Sequence, residues 1–222
     1  MLHQRLNEAE LSAAEAAAFH VAAVREVFEE SGVLLALDRT GAVASAEAAS
    51  ARVRAGEHFN DMLQQLDLCL DVASMLPWTR WITPLVPSVQ TKRFDTRFFV
   101  TTVPAGQQAS HDMVEATASA WLSPRAALDQ YWAAEIELAP PQIMSLAHLS
   151  RHASVASALA EAASRPPPLI QPHPFEHDGT RHLCYPGDPN HALPVRAMPG
   201  PLRLRWRNKR FEPVDGFDAL FR

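Results

Sequence analysis

The stretch REVFEESGV, residues 25–33, determines the fold that the rest of the sequence is expected to adopt. Helical geometry, at about 100° of rotation per residue, brings Glu26, Glu29 and Glu30 to one face, because residues three and four positions apart are neighbours. The stretch therefore predicts a helix with three clustered carboxylates on one side.

The opposite side of the same helix is apolar. Val24, Val27 and Phe28 fall on it and are expected to pack inward. Gly32 follows as a left-handed terminator of the helix, and residues 33–35 open an apolar run that suits a buried strand. The segment is thus predicted to be an amphipathic helix that leads directly into a strand.

Three neighbouring carboxylates admit two interpretations. They form either a solvated acidic face, which is what most charge clusters are, or a site for a cation that relieves their mutual repulsion. Hard divalent ions such as Mg²⁺ prefer oxygen ligands of this kind. Charge alone does not choose between the two interpretations, but the order of the residues favours a cation site.

The order of residues 25–33 resembles the second half of the Nudix box: Arg-Glu, an apolar residue, any residue, Glu-Glu, any residue, Gly, then an apolar residue. The resemblance extends along roughly residues 8–165 to one branch of the Nudix hydrolases, the peroxisomal coenzyme A diphosphatases and their bacterial relatives. The segments that carry it are AFHVAAVREVFEESGVLLA at 18–36, WITP at 81–84, RFDTRFFV at 93–100 and WLSPRAAL at 121–128.

This resemblance implies a metal-dependent pyrophosphohydrolase that cleaves a nucleoside diphosphate linked to another moiety, with coenzyme A or acyl-coenzyme A as a candidate substrate. It implies that Glu29 and Glu30 bind Mg²⁺ or Mn²⁺, and that Glu26 shares a metal or acts as the base on a metal-bound water. Arg25 would hold a glutamate by a bidentate pair. Glu115, before a predicted strand, is a further candidate ligand or base; its alternative is a solvated loop residue.

The resemblance also implies a Phe-Pro-Gly-Gly segment and at least two strands ahead of the helix. Residues 1–24 contain neither, so an α/β fold is expected: a Nudix α/β/α sandwich with a mixed sheet, incomplete at its N-terminus. Such a chain should be a poor catalyst with an open sheet edge, which the C-terminal strands or the second subunit of a homodimer would cover. The alternatives are a non-catalytic Nudix-like binding module, or a longer active enzyme in which Met1 is internal.

Composition sets further bounds. The 222 residues are 47% hydrophobic, which allows a real core, and the formal net charge of −5 argues against a nucleic-acid partner. Two cysteines without metal or redox spacing fit a reducing, cytoplasmic setting. The sequence shows neither a signal peptide nor a membrane-spanning run, so we expect no membrane partner.

The remaining sequence predicts two regions: a Nudix domain over residues 1–165 and an irregular, proline-rich extension over 166–222. Residues 8–30 are expected to form one long helix or two abutting ones. Further helices are expected at 46–75, after Ser123-Pro124, and at 143–164, and strands at 33–38, 81–86, 93–103 and 117–122. Short strand-like segments near 181–186 and 202–214 interrupt the extension.

Three other groups of residues have patterns that a functional site could use. His148 and His152 have metal-ligand spacing on a predicted helix, but no third ligand is evident in the sequence, which favours surface histidines. Arg203, Arg205 and Arg207 alternate with apolar residues, as expected for one solvated face of a strand. The aromatic residues Phe94, Phe98, Phe99 and Trp121 are expected in the core rather than in a base-stacking platform.

Overall fold

The computed structural model of the chain describes residues 2–84, 92–109 and 119–222. These residues form seven α-helices and nine strands. The helices are α1 Leu2–Leu6, α2 Ala13–Ser31, α3 Ala46–Arg54, α4 Phe59–Gln65, α5 Pro124–Trp132, α6 Pro140–Leu149 and α7 Val155–Ser164, with 3₁₀ turns at Val72–Ser74 and Phe217–Phe221. The strands are β1 Ala36–Leu37, β2 Cys69–Leu70, β3 Leu76–Ile82, β4 Asp95–Val100, β5 Leu169–Ile170, β6 His173–His177, β7 Thr180–Cys184, β8 Arg203–Arg207 and β9 Arg210–Pro213.

The described strands form three sheets, in the orders β1-β2, β4-β3-β5 and β6-β7-β8-β9. β3 pairs in parallel with β5, while the four-stranded sheet is antiparallel throughout. The chain divides into two compact units, one of Met1–Pro77 and Phe99–Ala120, the other of Trp78–Phe98 and Trp121–Arg222. No helix in the described ranges is long and apolar enough to cross a membrane.

Helix α2 is delimited by its caps. Ser12 accepts a hydrogen bond from the Glu15 backbone N–H, and the Glu15 carboxylate accepts one from the Ser12 backbone, which forms a capping box. Gly32 ends the helix with φ 69°, and its N–H donates to the Phe28 carbonyl. The glycine terminator is confirmed. The start predicted at residue 8 is wrong, because residues 8–12 lie outside the helix and the capping box at Ser12 sets its first turn.

The apolar side of α2 is buried as predicted. Val24 is 0% and Phe28 4% exposed, and Val27 is half-buried. Phe28 packs in a cluster that includes Leu34 and Phe59. Since these contacts fix the rotation of α2, they also fix which of its side chains face solvent.

A side chain completes the backbone hydrogen bonding of the apolar run after α2. The Gln107 side-chain oxygen accepts from the Leu34 N–H at 2.8 Å, and its amide donates to the Leu34 carbonyl at 2.9 Å. Leu34 is fully buried, so without these bonds both backbone groups would be desolvated and unpaired. The strand predicted at 33–38 is accordingly reduced to Ala36–Leu37.

The C-terminal region is more regular than predicted. Residues 173–213 contain the four-stranded antiparallel sheet, and Leu183, Leu204 and Phe211 from it enter a buried cluster. The strand predictions near 181–186 and 202–214 are confirmed. The prediction that residues 166–222 are irregular is wrong for the part that forms this sheet. The placement of a domain boundary at 165/166 stays a prediction.

The helix predicted over residues 143–164 is instead two helices. Pro140 and Pro141 occupy the first turn of α6, since proline lacks only an N–H that a first turn leaves unpaired anyway. Ser154 then caps α7 after a turn. Helix α5 begins after Ser123 as predicted, while residues 119–122 form no strand and the rest of that predicted strand lies outside the described ranges.

Candidate active site

The three glutamates of α2 lie together on its solvent side. Glu26, Glu29 and Glu30 are all exposed, with side-chain exposures of 53% for Glu26 and 45% for Glu29. This arrangement results from the burial of Val24 and Phe28 on the opposite side of the helix. The geometry is that of an open carboxylate face which a solvated ion can reach.

Arg25 supplies a positive charge to this face. Its Nη2 donates to Glu26 Oε1 at 2.7 Å, and its Nε lies 3.6 Å from Glu29 Oε2. The hydrogen bond to Glu26, together with the charge of Glu29, raises the pKa of Arg25. Arg25 thus makes one contact with each of two glutamates, rather than the bidentate pair with one glutamate expected from the sequence.

Glu30 is left without such a neighbour. Within the ranges that the structure describes, its carboxylate has no hydrogen-bond or ion-pair partner. The last turn of α2 contains no basic residue, although the negative end of the helix dipole favours cations there. Glu29 and Glu30 therefore stand at the end of the helix where acidic side chains are least favourable for stability.

This carboxylate set fits a hard divalent cation. Exposed oxygens at helical spacing, with one arginine shared between two of three carboxylates, leave net negative charge that a cation would neutralise. Glu115, the further candidate, lies outside the described residues, so its role stays a prediction.

A second cluster of ligand-type side chains lies in the other unit. His148 Nε2 lies 2.8 Å from Glu161 Oε1, and His152 Nε2 lies 3.0 Å from Glu161 Oε2. Burial lowers the pKa of His148 to about 4, although Glu161 opposes the shift. His148 is 5% exposed, so the expectation of surface histidines is wrong for it. The sequence did not reveal Glu161 as a third group, because α7 brings it back only after a turn.

The aromatic residues are divided between pocket, surface and core. Trp121 is 74% and Phe94 48% exposed, which contradicts the prediction that they lie in the core. Phe94 and Phe98 help to line an apolar pocket of about 320 Å³ in the second unit, together with Trp81 and the prolines that begin α6. Phe99 packs with the Val24 cluster.

The sequence also matches known proteins. A family model described as the NUDT19 Nudix domain matches residues 2–149. The chain belongs to the NUDT19 Nudix domain family. Membership confirms the resemblance inferred from residues 25–33.

The chain is also similar to curated proteins whose names state an activity. The chain is 34% identical over 155 residues to acyl-coenzyme A diphosphatase NUDT19 of Homo sapiens, covering 64% of this chain and 41% of that protein. It is 29% identical over 154 residues to the protein of the same name from Xenopus laevis, covering 62% and 40%. A putative nudix hydrolase 7 of Caenorhabditis elegans is 30% identical over 177 residues, covering 77% and 57%. The chain thus spans about two fifths of the length of the vertebrate relatives it matches.

A solved structure supports the fold assignment. The crystal structure of a NUDIX hydrolase from Alicyclobacillus acidocaldarius superimposes with a TM-score of 0.55 and 25% identity, covering 71% of this chain and 70% of that chain. With the helices and mixed sheets described above, this confirms an α/β Nudix-like fold.

Proposed function

We propose that this member of the NUDT19 Nudix domain family is a metal-dependent pyrophosphohydrolase. Its substrate would be a nucleoside diphosphate linked to another moiety, with coenzyme A and acyl-coenzyme A as the first candidates. The relatives named acyl-coenzyme A diphosphatases support this substrate class.

The observation that carries the proposal is the acidic face of α2. Glu26, Glu29 and Glu30 are exposed and under-neutralised, and Glu29 and Glu30 stand at the end of a helix where acidic residues are unfavourable for stability. A structural role does not account for this placement, whereas binding of a cation on a pyrophosphate does.

The residues of the acidic face have different proposed roles. Glu29 and Glu30 would hold Mg²⁺ or Mn²⁺, which when bound neutralises pyrophosphate charge and makes a coordinated water more acidic. Glu26 would share the ion or accept the proton of the attacking water. Arg25 would orient Glu26 and Glu29, as its contacts already do. Hydrolysis would add the water oxygen to one phosphorus, break the bridging P–O bond and release two phosphate monoesters.

The test is a substrate screen with a matched pair of variants. Coenzyme A, acyl-coenzyme A and other nucleoside diphosphate conjugates are incubated with the full chain and Mg²⁺ or Mn²⁺, and the two monoesters are separated by chromatography. Glu30→Gln keeps the shape of the side chain and removes its charge, and should lower kcat by about 100-fold or more. Glu47→Gln, an exposed glutamate of α3, is the control and should retain full activity.

Two results would overturn the proposal. Full activity of Glu30→Gln would remove the acidic face from the mechanism. Binding of coenzyme A by the wild-type chain without turnover, at any metal concentration, would favour the alternative of a non-catalytic binding module. A cytoplasmic setting and a homodimer remain predictions.

A further inference from the structure

Two histidines and a glutamate converge from consecutive helices of the second unit. His148 lies in the last turn of α6, His152 lies in the turn that follows, and Glu161 lies on α7. One ligand atom from each of the three side chains lies within 4.8 Å of the other two. Two ligands of a tetrahedral zinc ion lie about 3.3 Å apart when metal–ligand distances are about 2.0–2.1 Å. The three side chains are therefore near the spacing of a coordination shell.

One of these ligand atoms makes no hydrogen bond within the described residues. His152 Nε2 is buried and, across the described part of the chain, makes no hydrogen bond; its 3.0 Å approach to Glu161 lacks hydrogen-bond geometry. A close imidazole nitrogen and carboxylate oxygen without a proton aligned between them repel each other. An ion coordinated by both would remove this conflict.

We propose that His148, His152 and Glu161 bind a first-row transition-metal ion of the Zn²⁺ class. Two imidazole nitrogens and one carboxylate oxygen form a borderline-soft ligand set, which suits Zn²⁺ and not Mg²⁺. Three protein ligands leave a fourth position for water, and Glu161, with a side chain 30% exposed, stands on the accessible side.

Surrounding groups hold the ligands in place. Arg165 Nε donates to Glu161 Oε1 at 2.6 Å, and the Arg165 guanidinium lies 4.6 Å from the Trp78 ring. Trp78 in turn packs against His148, with ring centroids 4.4 Å apart. Hydrogen-bonded carboxylates and packed imidazoles of this kind orient the ligands of a metal centre.

The competing explanation is an ion-pair network centred on Glu161 and Arg165, with no metal. It accounts for the charge of Glu161 but leaves the buried His152 Nε2 without a hydrogen bond among the described residues, 3.0 Å from Glu161 Oε2. The two explanations differ in whether the metal-free protein binds one equivalent of Zn²⁺ through these residues.

The experiment uses the full chain, stripped of metal by a chelator and titrated with Zn²⁺ against a chromophoric chelator. The background is the Glu29→Gln, Glu30→Gln double variant, which removes the acidic face as a second metal site. We expect one tight equivalent of Zn²⁺, and a visible ligand-field spectrum of a four-coordinate site when Co²⁺ replaces it.

Single substitutions then assign the ligands. His152→Gln and Glu161→Gln should each weaken Zn²⁺ binding by more than about 100-fold, since even outer-shell losses cost about 10–100-fold. His173→Gln, an exposed histidine of β6, is the control and should leave binding unchanged. Circular dichroism of each variant shows whether it is folded, and the Co²⁺ spectrum of the folded ones reports the site itself.

Absence of a tight equivalent in the double variant would overturn the proposal, as would binding that both His152→Gln and Glu161→Gln leave unchanged. The outcome is independent of the proposed hydrolase. Zn²⁺ retained by the double variant that has lost hydrolysis would support the two sites separately.

Discussion

The carboxylates of the two units differ in how they are neutralised. On α2, one arginine contacts two of the three exposed carboxylates of the acidic face, and Glu30 has no partner among the residues that the structure describes. In the second unit, each of two buried carboxylates has an arginine of its own. The pairs are Asp188 with Arg203 and Glu212 with Arg210.

The difference separates charges that serve structure from charges left free for a ligand. Asp188 has a side chain only 4% exposed, and its two oxygens accept from Arg203 at 2.8 and 2.9 Å. A buried carboxylate must be paired in this way because its desolvation is costly. The carboxylates of α2 keep their hydration, so they can remain under-neutralised until a cation arrives.

The largest expected effect lies on the buried side of the acidic helix. Phe28→Ala should lower the free energy of unfolding by about 3–5 kcal/mol, from lost transfer energy and the cavity left against Leu34 and Phe59. Urea unfolding of the variant and the wild type measures it. A loss below about 1 kcal/mol would show that the rotation assigned to α2 is wrong, and with it the acidic face.

A smaller loss is expected where a paired carboxylate loses its charge. Asp188→Asn should lower the free energy of unfolding by about 1–3 kcal/mol, because it leaves Arg203 partly desolvated without its counter-charge. Asp178→Asn is the matched control, since its side chain is 90% exposed and should change little. Equal effects of the two substitutions would erase the distinction between the two classes of carboxylate.

The same pair predicts a pH dependence. Burial alone would raise the pKa of Asp188, but hydrogen bonds from Arg203 and from the Asn190 N–H outweigh it and hold the pKa below its usual value. Because the folded pKa is depressed, the stabilisation is fully present above the unfolded value of about 3.9 and is lost as the pH falls through the folded pKa. The acid limb of the stability curve below about pH 4 should therefore be shallower in Asp188→Asn than in the wild type. Parallel acid limbs in urea titrations would contradict this.

The sequence predicted the acidic helix well because all of its determinants are local. The spacing of Glu26, Glu29 and Glu30, and the glycine at 32, follow from helical periodicity and cap chemistry within a few residues. The apolar partners across the helix follow from the same period.

The cluster at His148 could not be predicted in the same way. Its third group, Glu161, reaches the histidines only because α6 ends at Leu149 and α7 turns back, a break that the continuous apolar pattern of residues 143–164 concealed. A helix pattern shows which residues share a face of one helix, but tertiary packing decides which faces meet. The same limit explains Gln107, whose bonds to Leu34 join residues 73 positions apart.

The smallest expected effect is the most discriminating test of the acidic face. Removing a glutamate charge should change the free energy of unfolding in opposite directions at the two ends of α2. Glu30→Gln, measured with a chelator present, should raise the free energy of unfolding by about 0.3–1 kcal/mol, since it removes negative charge from the negative end of the helix dipole and from two neighbouring carboxylates. Glu15→Gln, in the first turn of the same helix, removes charge from the positive end and should lower it. Urea unfolding in low salt measures both, because salt screens such terms.

Divalent metal should then reverse the order of stability of the wild type and Glu30→Gln. Mg²⁺ or Mn²⁺ that binds the folded wild type stabilises it by mass action, and Glu30→Gln should gain much less. The wild type would therefore be the less stable protein in chelator and the more stable one in excess metal, while Glu15→Gln, which retains the acidic face, should gain as much as the wild type. If Glu30→Gln is destabilising in chelator, Glu30 serves the fold and the contrast between the two units fails. If metal stabilises the wild type and Glu30→Gln equally, the cation binds elsewhere.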